Sequence, residues 1–210
     1  MIKIKICGIT NHEDATLAAS LGADYAGFNF YKDSPRKVSV KAAKEMTAAL
    51  PGFTSSVGIF VDEPLEELIK IVKKCGLKNI QLHGNESPEY CREAGSRCSV
   101  PVIKAIRVAD ETAITAMQSY LESVNYFLLD TASSEAPGGT GAVFNWDIAV
   151  KAKELNKPFF LAGGLTPENV ADAIEKVRPF GIDTASGVER LPRRKDYEKM
   201  KTFITAARRT

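Results

Sequence analysis

The chain has 210 residues, 44% apolar and 26% charged, with a formal net charge of +2. That length supports one sizeable core, and the balance is that of an ordinary globular domain rather than a polyanion binder. No apolar run is long enough to span a bilayer, and no leader pattern precedes the first element, so a cytoplasmic protein with no membrane or nucleic-acid partner is expected.

The first element is Ile2-Lys3-Ile4-Lys5-Ile6, whose alternation reads as a strand. It ends in Cys7-Gly8-Ile9-Thr10. Gly8 permits a sharp turn, and Thr10 with Glu13 reads as a capping box opening a helix. Further strands are predicted from Tyr25, Ser56, Asn79, Val102, Tyr126, Pro158 and Gly181, at a spacing that suits βα units. Helical stretches lie between them. Glu63-Pro64 leads into Leu65, Leu68, Ile69 and Val72, and Gly76 stops that helix. Ser87-Pro88 opens another. Thr166-Pro167-Glu168 opens one striped by Val170, Ala173, Ile174 and Val177. A proline near the first helical position costs little, because its missing N–H would be unpaired there. Eight such units without a linker predict a compact single-domain (β/α)8 TIM barrel over residues 1–210. An open doubly wound sheet is the weaker alternative, since no G-x-G-x-x-G follows the first strand.

In a barrel of this kind, reactive groups collect where the strands end. Cys7 sits there and reads equally as a base or nucleophile and as a small apolar strand residue. Asp130, closing Tyr126-Phe127-Leu128-Leu129, reads equally as a rim acid and as a cap for the next loop. That loop, Thr131 to Gly141, is the longest and reads as a lid over the barrel mouth. Gly163-Gly164 and Ser186-Gly187 end the seventh and eighth strands, where two glycine-bearing loops and a short helix can hold a phosphate through backbone N–H groups. Arg36, in Ser34-Pro35-Arg36, can clamp a carboxylate but reads more simply as a solvated loop residue. His83, in Gln81-Leu82-His83-Gly84, can face a ligand but reads more simply as a satisfied polar group.

Cys75, Cys91 and Cys98 read as buried or half-buried helix residues. With His12 and His83 they form no zinc-like spacing, so no metal is expected. Arg190, Arg193, Arg194 and Lys195 are offset by Glu189, Asp196 and Glu198, and no aromatic residues interleave them as stacking on nucleic acid requires.

Six segments taken together resemble the phosphoribosylanthranilate isomerases of tryptophan biosynthesis. They are Lys5-Ile6-Cys7-Gly8-Ile9-Thr10, Gly27-Phe28-Asn29-Phe30 with Ser34-Pro35-Arg36, Gln81-Leu82-His83-Gly84, Leu129-Asp130 with Gly138-Gly139-Thr140-Gly141, Leu161-Ala162-Gly163-Gly164-Leu165, and Ser186-Gly187-Val188-Glu189. They occur in the family's order over nearly the whole chain.

The resemblance implies a cofactor-independent, metal-free Amadori rearrangement of N-(5-phosphoribosyl)anthranilate. Cys7 would be the general base and Asp130 the general acid. Arg36 would meet the anthranilate carboxylate, and the seventh and eighth loops the phosphate. Substrate contacts are expected from Arg36, His83, Gly163, Gly164, Asp183, Ser186 and Gly187. The partner is a small phosphorylated substrate, and the protein a monomer or homodimer. Asn29, Asn145, Ala185 and Arg193-Arg194 depart from the family's usual residues, and the last two touch the expected phosphate rim. A metal-dependent pentose-phosphate epimerase would need more rim histidines than the chain has. A non-catalytic scaffold would have no need of both Cys7 and Asp130. Activity on a histidine-pathway intermediate would call for an aspartate where Cys7 stands.

Overall fold

The computed structural model describes residues 1–131 and 145–210. Eight parallel strands close into a barrel: β1 (Lys3–Ile6), β2 (Tyr25–Asn29), β3 (Ser55–Phe60), β4 (Asn79–Leu82), β5 (Val102–Val108), β6 (Tyr126–Thr131), β7 (Phe159–Leu161) and β8 (Gly181–Thr184). Each is followed by a helix: α1 (His12–Ser20), α2 (Val40–Ala49), α3 (Leu65–Cys75), α4 (Pro88–Cys98), α5 (Thr112–Gln118), α6 (Trp146–Ala152), α7 (Val170–Val177) and α8 (Tyr197–Arg209). Each strand start lies within one residue of its sequence expectation. Closure runs through β1 and β8, with Lys5 opposite Asp183 and Ile6 opposite Thr184. The expected lid, Thr131 to Gly141, lies outside the described residues apart from Thr131 at the end of β6.

Strand residues alternate between two cores. Ile4, Ile6, Phe28, Phe60, Ile80, Leu82, Phe127, Leu129 and Ile182 point outward and pack under the helices. Val57, Ile103, Ala105, Leu128, Phe160 and Ala162 fill the interior. Phe160 anchors the amino end. Its ring meets Tyr25 at 5.3 Å and Phe180 at 5.4 Å, both edge-to-face, an arrangement that aligns a ring's positive edge with its neighbour's negative face.

Two helix starts differ from expectation. The cap of α1 is Asn11, whose side chain accepts from the Asp14 N–H, while the Thr10 hydroxyl donates to the Arg193 carbonyl at 2.7 Å. Thr10 is drawn away because residues 189–195 fold back as a small hairpin over this corner. Thr166-Pro167-Glu168 forms a turn, and α7 begins after Asn169, whose side chain accepts from the Thr166 N–H. Ser87 caps α4 with Pro88 at its first position, and Gly76 ends α3 in the left-handed region, as expected. Cys75 and Cys91 are buried and Cys98 half-buried.

Candidate active site

The inward faces of the strands open at their carboxyl ends into a cleft. Cys7, Arg36, His83, Asp130, Gly163, Gly164, Asp183, Ser186 and Gly187 all line it. The structure therefore gathers the nine residues expected to catalyse or to bind substrate into one place.

Cys7 follows β1, and its N–H donates to the Thr184 carbonyl at 2.8 Å. It lies against Gly27, where a Cβ would press on Cys7 Sγ. Below it, Lys5 is fully buried and donates to Asp183 Oδ1 at 2.9 Å. Burial pulls the Lys5 ammonium down, but Asp183 and the neighbouring sulfur outweigh it, and its pKa ends above the ordinary value. Burial pushes the Asp183 carboxyl up, with Lys5 pulling against it. Burial likewise pushes the Cys7 thiol up, opposed by Lys5 and Lys195. The resting sulfur is thus a thiol, with cations placed to receive the charge once its proton leaves.

Asp130 is nearly the last residue of β6 and is buried. Its Oδ1 accepts from the Thr131 N–H at 2.9 Å, and its Oδ2 lies 3.5 Å from His83 Nε2. His83 Nδ1 in turn meets Gln81 Nε2 at 3.0 Å. His83 Nε2 and Gln81 Oε1 are buried polar atoms with no hydrogen-bond partner among the described residues.

Arg36 is not a solvated loop residue. Its Nε and Nη2 donate to the two Glu189 oxygens at 2.8 and 2.7 Å. Its side chain crosses Gly8, where any Cβ would collide with it, and Gly8 adopts φ +71°, which suits glycine. Burial pushes the Glu189 carboxyl up, but Arg36 and Lys195 hold it below the usual range. The Glu189 pair raises Arg36 further above its ordinary value. Burial lowers Lys195, which donates to Glu189 at 3.2 Å and to the Ala185 carbonyl at 2.8 Å.

The last two loops meet. Gly163 and Gly164 take φ +81° and +68° and leave their N–H groups without hydrogen bonds among the described residues. The Thr184 hydroxyl donates to the Leu165 carbonyl at 2.8 Å, and Gly187 sits so close to that carbonyl that no side chain fits. A single helical turn, Ser186–Val188, starts where a short helix was expected. Among the described residues no three His, Cys, Asp or Glu side chains are grouped to hold a metal ion.

Sequence reasoning gave no role to Lys5, Gln81, Glu189 or Lys195. Lys5 and Gln81 carry a signal in hindsight: they are polar residues at the inward positions of barrel strands. Glu189 and Lys195 read only as charges that offset each other, because their place at the site depends on how the hairpin folds.

A family model described as N-(5'phosphoribosyl)anthranilate (PRA) isomerase matches residues 4–206. A Pelobacter propionicus protein named N-(5'-phosphoribosyl)anthranilate isomerase is 49% identical over 210 residues, covering 100% of this chain and 97% of its own. The crystal structure of phosphoribosyl anthranilate isomerase from Thermotoga maritima superposes with a TM-score of 0.93 at 40% identity, over 100% of both chains. A structure of such an isomerase in complex with reduced 1-(o-carboxyphenylamino)-1-deoxyribulose 5-phosphate gives a TM-score of 0.90 at 38% identity, again over 100% of both chains.

Proposed function

The chain belongs to the N-(5'-phosphoribosyl)anthranilate isomerase family, and we propose on that footing that its barrel, residues 1–210 acting as one catalytic domain, works by proton transfer between Cys7, Asp130 and a single bound sugar. It is an isomerase of tryptophan biosynthesis. The reaction is the Amadori rearrangement of N-(5-phosphoribosyl)anthranilate to 1-(2-carboxyphenylamino)-1-deoxyribulose 5-phosphate.

Asp130 donates a proton to the ring oxygen. The C1–O bond breaks, and the nitrogen lone pair forms an iminium at C1. That cation acidifies the C2 proton, which Cys7 removes as a thiolate, after its own proton has left to solvent and with Lys5 and Lys195 steadying the charge. The C2–H electrons form the C1=C2 bond of an enolamine and neutralise the nitrogen. Protonation at C1 and loss of the 2-hydroxyl proton give the ketone, so the protons balance and no electron carrier is required. Arg36 holds the anthranilate carboxylate through the guanidinium edge that Glu189 leaves free. Gly163, Gly164, Ser186 and Gly187 hold the phosphate by backbone N–H groups, and Asp183 and His83 contact the sugar. Binding at the two unreactive ends positions the reacting carbons.

The observation that carries this reading is the common cleft of Cys7, Asp130, Arg36 and the two glycine loops. We place the enzyme in the cytoplasm, acting on a small phosphorylated substrate as a monomer or homodimer; among the described residues no helix is long and apolar enough to cross a membrane. The test is a coupled assay with freshly made phosphoribosylanthranilate. Enzyme-dependent loss of anthranilate-type fluorescence, without added metal or cofactor, is expected; no loss above the spontaneous rate overturns the reading.

A further inference from the structure

We infer that Glu189 is a positioning residue that presents Arg36 to the carboxylate end of the substrate, and so sets the preference for a carboxylated aromatic ring. This rests on the reading of Arg36 given above. Three observations support it. Glu189 engages Arg36 side-on, with two bonds of 2.8 and 2.7 Å, which fixes the plane of the guanidinium and not merely its charge. Glu189 is itself buried and doubly held, by Lys195 on its carboxylate at 3.2 Å and by Lys199 on its carbonyl at 3.0 Å. It also directly follows the Ser186–Val188 turn, whose Ala185 carbonyl accepts from the same Lys195 at 2.8 Å. The guanidinium is thus braced against the turn expected at the phosphate. A planar donor already locked in orientation loses less freedom when it takes a second carboxylate than one that swings in solvent.

Glu189→Gln keeps the shape but turns an amide N–H toward Arg36, so one bond of the fork is lost and the guanidinium can rotate. The comparison needs two substrates: phosphoribosylanthranilate, and the carboxylate-free glycosylamine made from aniline and ribose 5-phosphate. It also needs Arg36→Met alone and combined with Glu189→Gln. If Glu189 acts through Arg36, Glu189→Gln raises KM for the carboxylated substrate about tenfold or more, the scale of a lost charge-assisted bond. It changes kcat little, leaves the aniline substrate nearly untouched, and adds nothing in the Arg36→Met background. A merely structural Glu189 would depress both substrates alike or add fully to Arg36→Met, and either result, with Arg36→Met itself selective, overturns this inference alone. If Arg36→Met does not distinguish the two substrates, the carboxylate reading of Arg36 fails and the inference with it. Should Glu189→Gln not fold, because Lys195 loses its buried partner, Glu189→Gln with Lys195→Met removes both charges and carries the same comparison.

Discussion

Toward the amino ends of the strands, the barrel interior is closed by the rings of Tyr25, Tyr126, Phe160 and Phe180. Toward the carboxyl ends, the same strands turn Cys7, Gln81, His83, Asp130 and Asp183 into a cleft. The amino half satisfies itself with apolar area and edge-to-face rings. The carboxyl half leaves His83 Nε2 and Gln81 Oε1 without partners among the described residues. Lys5 and Asp183 form the boundary, a buried ion pair directly beneath the Cys7 thiol. Stability and chemistry are therefore separable along one axis of one barrel, and substitutions in the two halves should report on different quantities.

The largest effect is expected at Asp130. Asp130→Asn should lower kcat by about 10²–10⁴-fold, the usual worth of a general acid, while the thermal midpoint moves little. A variant that is mainly unstable, with normal turnover per folded molecule, would erase the division between the halves. Phe160→Ala makes the opposite cut. Removing a fully buried ring at the closed end should cost about 3–5 kcal/mol of stability, read by denaturant titration, and leave the pH profile of the folded fraction unchanged. Arg36→Met tests whether the rim binds rather than reacts. It should raise KM by the equivalent of about 2–5 kcal/mol with a smaller change in kcat; an equal fall in kcat would move Arg36 into the chemistry. The smallest effect sharpens the comparison, because Asn11 lies near the carboxyl end but faces α1 instead of the cleft. Asn11→Ala should cost about 0.5–2 kcal/mol of stability, the worth of a helix cap, with kinetics intact, and Thr10→Ala should cost less.

The strands were readable because each is a short apolar run cut off by glycine, proline or a polar loop, and the paired glycines at the seventh and eighth strand ends marked the rim. The meaning of the alternation was not readable. Ile2-Lys3-Ile4-Lys5-Ile6 suggests one buried and one solvated face, yet closure of the sheet turns the polar face inward, and Lys5 is fully buried. The same inversion places Gln81 beside His83. Thr10 and Asn11 are both competent caps, and only the hairpin's carbonyl at Arg193 decides between them. Arg36 read as solvated because its partner lies 153 positions away, a separation that no local pattern spans.

In the proposed mechanism the Cys7 sulfur takes the proton at C2. Because burial raises the thiol above its ordinary value and the base works deprotonated, kcat/KM of the wild-type enzyme should climb with pH along a limb displaced to the alkaline side of an ordinary cysteine. The decisive measurement is that profile for the wild type beside Cys7→Ser. In the variant, turnover should fall by about 10²–10⁴-fold and the limb should disappear. Turnover near the wild-type level, or the same alkaline limb persisting without the sulfur, would contradict it.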